Sequence, residues 1–153
     1  MNTKKKWCIP FFIVLSLVFC SLSPAAPVHK NLNSSVEYFA DGSYIVTTLQ
    51  ILETRSSKQH KKQAEYFNPD NKLQWTYTLT AAFEYDGSAS RCISVTDSFR
   101  ILDNRWICDS HLASSSANTA TGNFTMKEKP GIFTLQTISD TITIICDKNG
   151  NIS

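Results

Sequence analysis

The stretch Leu73–Tyr85, LQWTYTLTAAFEY, decides the fold. Trp75, Tyr77, Leu79, Ala81, Phe83 and Tyr85 alternate with Thr76, Thr78, Thr80, Ala82 and Glu84, a period of two sustained over eleven residues. A helix would scatter those rings around its circumference. A strand collects them on one face, where each large apolar side chain contributes ~1.5–3 kcal/mol once covered. The other face is lined by hydroxyls, as expected where an antiparallel sheet meets water.

Turn signals bracket this strand at Asn68-Pro69-Asp70-Asn71 and at Asp86-Gly87-Ser88. Downstream, Arg91 to Phe99 reads as a strand with Ile93 and Val95 on one side, and Asp103-Asn104 marks a reversal. Trp106 to Leu112 alternates weakly through Cys108 and Ser110, and Ala120, Gly122, Phe124 and Met126 line up on one side. After Lys129-Pro130-Gly131, the run Ile132 to Cys146 changes phase: Phe133 and Leu135 share one face, whereas Ile142, Ile144 and Cys146 take the other. A switch near Ser139-Asp140 predicts a bulge or two consecutive strands.

Upstream, Val36, Tyr38 and Phe39 lead into Asp41-Gly42 and then Tyr44 to Leu49, a hairpin over residues 36–54 because Gly accepts the positive φ of a tight turn. Residues 26–35 are polar and unpatterned and read as a flexible lead-in; residues 55–62 read as a loop before the body at 63–147. With seven or eight strands and no segment of 3.6-residue period, the expected architecture is a single all-β domain over 36–153. It is an antiparallel β-sandwich of Ig-like or small Greek-key type.

The N-terminus orders Lys4, Lys5 and Lys6, an apolar stretch from Trp7 to Leu22, and then Ser23, Pro24 and Ala25. This is the order of a secretory signal peptide over 1–25, and its core is shorter than the ~20 residues a spanning helix needs. Cleavage after Ala25 leaves 12 Lys plus Arg against 13 Asp plus Glu, a net charge of about −1. A secreted protein with no stable membrane span and no nucleic-acid partner is therefore expected. The basic group Arg55, Lys58, His60, Lys61 and Lys62 reads as a solvated loop.

Cys8 and Cys20 leave with the signal, so Cys92, Cys108 and Cys146 remain. One bridge and one free thiol is the simplest arithmetic in an oxidising compartment. Cys92 with Cys146 is the preferred pair, closing a loop worth ~4 kcal/mol, with Cys108 a buried small hydrophobe. The two pairings through Cys108, and a thiol-linked oligomer through it, stay open.

The segments DGSYIVTT, KLQWTYTLTAAFEYDGSASRC, RWICDSHLASSSANTATG and TITIICDKNGNIS together span Asp41 to Ser153. In that order they resemble a family of small secreted proteins of Gram-positive bacteria, classed as a domain of unknown function. The resemblance implies a β-rich export product with cysteines at Cys92 and Cys146 and no established activity, cofactor or catalytic residue. Cys108 is an addition to that pattern.

Chemistry-bearing motifs are sparse. Cys108 and His111 have C-x-x-H spacing, but a strand would point them to opposite faces and no second ligand pair accompanies them, so no zinc site is expected. Asp147-Lys148-Asn149-Gly150-Asn151 reads as a polar turn rather than a calcium loop. Neither G-x-S-x-G nor H-E-x-x-H occurs. The expected function is that of an exported noncatalytic module contacting an extracellular or cell-envelope partner. Tyr38, Phe39 and Tyr44 are its candidate ligand contacts, with packing onto the sandwich as their competing role. The alternative is a small secreted hydrolase whose carboxylates, drawn from Glu84, Asp86, Asp97, Asp103 and Asp109, assemble only in the fold.

Overall fold

The computed structural model describes residues 28–53 and 58–153; the expected signal peptide lies outside them. The described residues form eight antiparallel strands in two layers. Strands β1 (Val28–Tyr38), β2 (Tyr44–Glu53), β3 (Lys58–Phe67), β4 (Leu73–Tyr85) and β5 (Ser90–Ile101) make one sheet, and β6 (Trp106–Ser116), β7 (Thr119–Glu128) and β8 (Gln136–Ile145) make the other. The sandwich is as expected, but its strand order is not of Greek-key type. Each sheet is a meander in which sequence neighbours pair, and only the β5–β6 turn changes layer.

β4 supplies the centre of the core. Trp75, Tyr77, Leu79 and Ala81 are all buried, facing Phe124, Met126, Ile142 and Ile144 of the other sheet. Tyr66 stacks on Trp75 with centroids 5.3 Å apart, and Trp106 meets both rings edge-on. The alternation carries on to Phe83, which packs against this cluster, but Tyr85 is half exposed, with its ring against the backbone of Gly150 in the C-terminal turn.

Four expectations need correction. Residues 28–35 are not a lead-in but most of β1, paired along β2 from Val28↔Glu53 to Tyr38↔Tyr44. Among the described residues β1 pairs with no strand but β2, so main-chain pairing along one edge defines it. Likewise, residues 58–62 are not loop but the first half of β3, between β2 and β4. There His60 is buried, and Lys62 donates from Nζ to the Thr143 carbonyl of β8 at 2.8 Å. Burial pulls the Lys62 ammonium below its ordinary pKa. Arg91 to Phe99 does lie in a strand, but Ile93 is the unmatched residue of a bulge, since Ala82 pairs Ser94 and Phe83 pairs Cys92. Ile93 is therefore exposed while Cys92 and Val95 pack inward. Finally, β8 pairs with β7 without a register shift. The phase change arises because Ile132, Phe133 and Leu135 belong to the loop before β8.

Two hairpins use the same turn chemistry. At Asp41-Gly42-Ser43 and Asp86-Gly87-Ser88, glycine takes φ of 86° and 87°, and the aspartate Oδ1 accepts from the serine amide and hydroxyl. Asp147 does the same with the amides of Asn149 and Asn151 and the Asn151 side chain. Its carboxylate is spent inside the turn, in keeping with a polar turn rather than a cation loop. Hydrogen bonds from Ser43, Ser88 and Asn151 respectively hold all three carboxyls below the ordinary range, Asp86 at about 2. A depressed folded pKa means the folded state binds fewer protons, so this stabilisation is present above the ordinary carboxylate pKa of ~3.9 and is lost as pH falls through the folded values. The denaturant midpoint should fall between pH 4 and pH 2, and should fall less in Asp86→Ala. Urea titrations followed by circular dichroism at several pH values check this; an equal slope in both proteins would remove the turn from the account.

Candidate functional site

Four loops meet at one end of the sandwich: β1–β2 (39–43), β3–β4 (68–72), β5–β6 (102–105) and β7–β8 (129–135). Backbone hydrogen bonds tie the start of β4, the β5–β6 loop and the β7–β8 loop together. The Gln74 carbonyl accepts from the amides of Leu102 and Asp103, and the Arg105 carbonyl accepts from Lys129. Between them lies a cavity of about 250 Å³ with Tyr66 and Trp106 in its wall. Three carboxylates, Asp41, Asp70 and Glu128, line it against one guanidinium, Arg105, which is itself held by Glu128 and Asp103, each at 3.1 Å. Tyr66 donates to Gln136 Oε1 at 3.1 Å. Gln74 is buried in the lining, its Nε2 donating to the Lys72 carbonyl at 2.9 Å while its Oε1 has no partner.

The candidate contacts from the N-terminal hairpin fall at this same end, in three different environments. Tyr38 is 73% exposed. Tyr44 is sandwiched by Tyr38 and Phe67 at centroid distances of 5.5 and 5.0 Å and donates to Asn71 Oδ1. Phe39 packs edge-on against Tyr66 and belongs to the core margin. Sequence reasoning missed Gln74, Arg105 and Gln136. The available signal was Gln74, the single amide interrupting an apolar strand start.

A second polar cluster closes the β5–β6 flank. Asp97 Oδ2 accepts from the Tyr77 hydroxyl at 2.8 Å and lies 2.9 Å from His111 Nδ1. Here the expectation that Cys108 and His111 face opposite ways is corrected. Asp109 is bulged out of the β6–β7 ladder, so Cys108 opposes Met126 and His111 opposes Phe124, both on the inner face. Burial first, then Asp97, raises the pKa of the Cys108 thiol; burial and the Asp97 hydrogen bond push the Tyr77 phenol far above its usual range. Both stay protonated, so the histidine–aspartate pair has no activated nucleophile beside it. Among the described residues no group of three or more His, Cys, Asp or Glu is placed to hold a metal ion.

The other carboxylates are held apart by separate partners. Glu84 pairs with Arg91, Asp103 with Arg105 and Asp109 with Lys127. Glu84 and Asp86 line one open cleft at the opposite end, but Asp86 is the carboxyl depressed to about 2. A glycosidase acid requires the opposite shift.

The expected Cys92–Cys146 bridge is not formed in this structure; Cys92, Cys108 and Cys146 all carry free thiols. Cys92 Sγ turns to the Ser94 carbonyl and Cys146 Sγ to the Asp147 carbonyl, at 3.3 and 3.4 Å. Their amides donate to Ala117 and Asn118 of a single turn, which ties the two strand ends together without a covalent link. Comparison of the chain with protein-family profiles, curated proteins and solved structures found no match.

Proposed function

We propose that this protein is an exported, noncatalytic binding module that contacts an extracellular or cell-envelope partner through the loop end of its sandwich. The observation that carries this reading is the β7–β8 loop, where Ile132, Phe133 and Leu135 are 90%, 70% and 66% exposed beside the polar cavity. Large apolar side chains grouped on one loop mark interaction surfaces far more often than scattered surface leucines do. Each loses water contact only when a partner covers it, with ~1.5–3 kcal/mol available per side chain. Export rests on the N-terminal Lys4–Ala25 pattern.

The test is binding of purified protein to arrays of bacterial cell-wall glycans and extracellular proteins, with Phe133→Ser alongside. Retention of wild-type protein, weakened about tenfold or more in the variant, is the expected result. Product release from any arrayed glycan would replace this reading with the hydrolase alternative.

A further inference from the structure

β8 borders the three-stranded sheet, and among the described residues it approaches only β7, β3 and β4. Neither β1 nor β2 reaches it, so the β8 edge is open on that flank. The C-terminal segment shows which main-chain groups point outward there. Ile145 and Ser153 exchange two amide-to-carbonyl hydrogen bonds, each 3.0 Å, and Cys146 bridges Ile152 in the antiparallel sense. In a strand paired without a register shift, the outward groups then recur at Thr143, Thr141, Ser139 and Thr137. Two of these four are capped. Lys62 Nζ donates to the Thr143 carbonyl, and the Thr141 amide donates to Asp140 Oδ1. Such caps blunt an edge against stray pairing. Ser139 and Thr137 carry no such cap, and beside them opens a cavity of about 210 Å³. Phe39 and Ile45 border it on its apolar side, and its two charged side chains, Glu37 and Asp140, are both acidic. Lys62, the nearby ammonium, is held at Thr143 and forms an ion pair with neither.

We propose that the Gln136–Asp140 edge of β8 takes up an extended segment of a partner protein as an added antiparallel strand, with a lysine or arginine of that segment set beside Glu37 and Asp140. The chain's own Ile152–Ser153 already sits on this edge in that sense, so an incoming segment continues an existing ladder. Main-chain bonds at Ser139 and Thr137 hold it. Residues directly opposite one another share a face. The segment's residue opposite Asp140 therefore points into the acidic cavity, and the one two places later, opposite the buried Ile138, points toward Phe39 and Ile45. The pattern recognised is a basic residue, any residue, then an aliphatic one. This edge is separate from the apolar β7–β8 loop and does not depend on the contact proposed there.

The experiment is a heteronuclear NMR titration of the full mature chain with the peptide acetyl-Thr-Lys-Thr-Val-Thr-amide. Saturable shifts at the Thr137 and Ser139 amides are expected. Replacing the peptide's lysine with glutamate, or N-methylating the threonine after it, should weaken binding about tenfold or more, the first through charge and the second through one main-chain hydrogen bond. Glu37→Gln should weaken the lysine peptide and leave a methionine-for-lysine peptide unchanged. Ser139→Pro removes an amide that β7 does not use, together with an exposed hydroxyl contact to Thr125, and should abolish uptake in a protein with wild-type circular dichroism. If that variant fails to fold, the N-methylated peptide makes the same test. Absence of saturable shifts with the lysine peptide, or equal binding of the glutamate or N-methylated peptide, overturns the proposal. So do shifts centred on residues 129–135 that vanish in Phe133→Ser. A dimer in sedimentation that Ser139→Pro dissociates would seat a second copy on this edge and overturn the assignment to a partner protein.

Discussion

Trp75→Ala should lower the unfolding free energy by about 3–5 kcal/mol, read as a drop in the urea midpoint by far-UV circular dichroism. The side chain is fully buried and touches three other rings. It stacks on Tyr66 at 12° and meets Trp106 and Phe124 edge-on at 61° and 70°, with centroids 5.3, 6.0 and 5.6 Å away. Two of these partners, Trp106 and Phe124, belong to the opposite sheet. Truncation therefore removes two of the ring contacts between layers, and no neighbouring backbone can collapse into the space without breaking a ladder. A domain of ordinary stability has ~5–15 kcal/mol in total, so this one change could leave a sizeable unfolded population. Trp75→Phe should cost markedly less. It keeps a ring in the stack and removes the indole Nε1–H, which is buried without a partner and so already carries a desolvation penalty. Equal losses in the two variants would mean that the rings are not what couples the sheets.

The same strand shows how far the sequence could be read. The buried run Trp75, Tyr77, Leu79 and Ala81 was visible because side-chain period reports directly on a sheet with one wet face. The register shifts at Ile93 and Asp109 were not visible. A single inserted residue reverses the inward set of everything after it, and nothing in local composition distinguishes it from ordinary alternation. That is why Ile93 was expected on the same side as Val95 and why Cys108 and His111 were expected to diverge. Residues 28–35 of β1 and the start of β3 were missed for a different reason. Their strand character lies in pairing with β2 and β4, and the Lys62 ammonium meets a carbonyl rather than an apolar core.

The candidate site was legible only in part. Tyr38, Phe39 and Tyr44 lie at the end of the molecule where the cavity is found because aromatic residues flanking an Asp-Gly turn stand at a loop tip. Asp41, Asp70, Arg105 and Glu128 lie in separate turns, each unremarkable as a solvated polar residue. Only the meander, which returns every second loop to the same end, brings them around one cavity. Folding, rather than any sequence motif, creates the acceptor excess.

Gly122→Ala should destabilise the protein by about 1–3 kcal/mol, and removing the Tyr77 hydroxyl should recover part of that loss. Gly122 lies on β7 opposite Ala113 and Ile142, with its missing side chain directed at β4 across the core. A Cβ there would stand 2.6 Å from the Tyr77 Oη, 3.0 Å from its Cε1 and 3.2 Å from Leu79 Cδ1. Tyr77 cannot retreat easily. Its ring stacks on Phe124 at 4.3 Å, and its hydroxyl is held by Asp97, which also lies against His111. The glycine is thus required by close approach between layers, not by backbone conformation. Tyr77→Phe alone has its own cost, because Asp97 is largely buried and loses a donor. In the double variant the worst clash is gone, so its total loss should be smaller than the sum of the two single losses by about 0.5–3 kcal/mol. Urea denaturation of all four proteins measures that difference. Strict additivity would show that β7 accommodates the methyl by moving away, and that the sheets are not held at a fixed spacing by the Tyr77–Asp97–His111 contact.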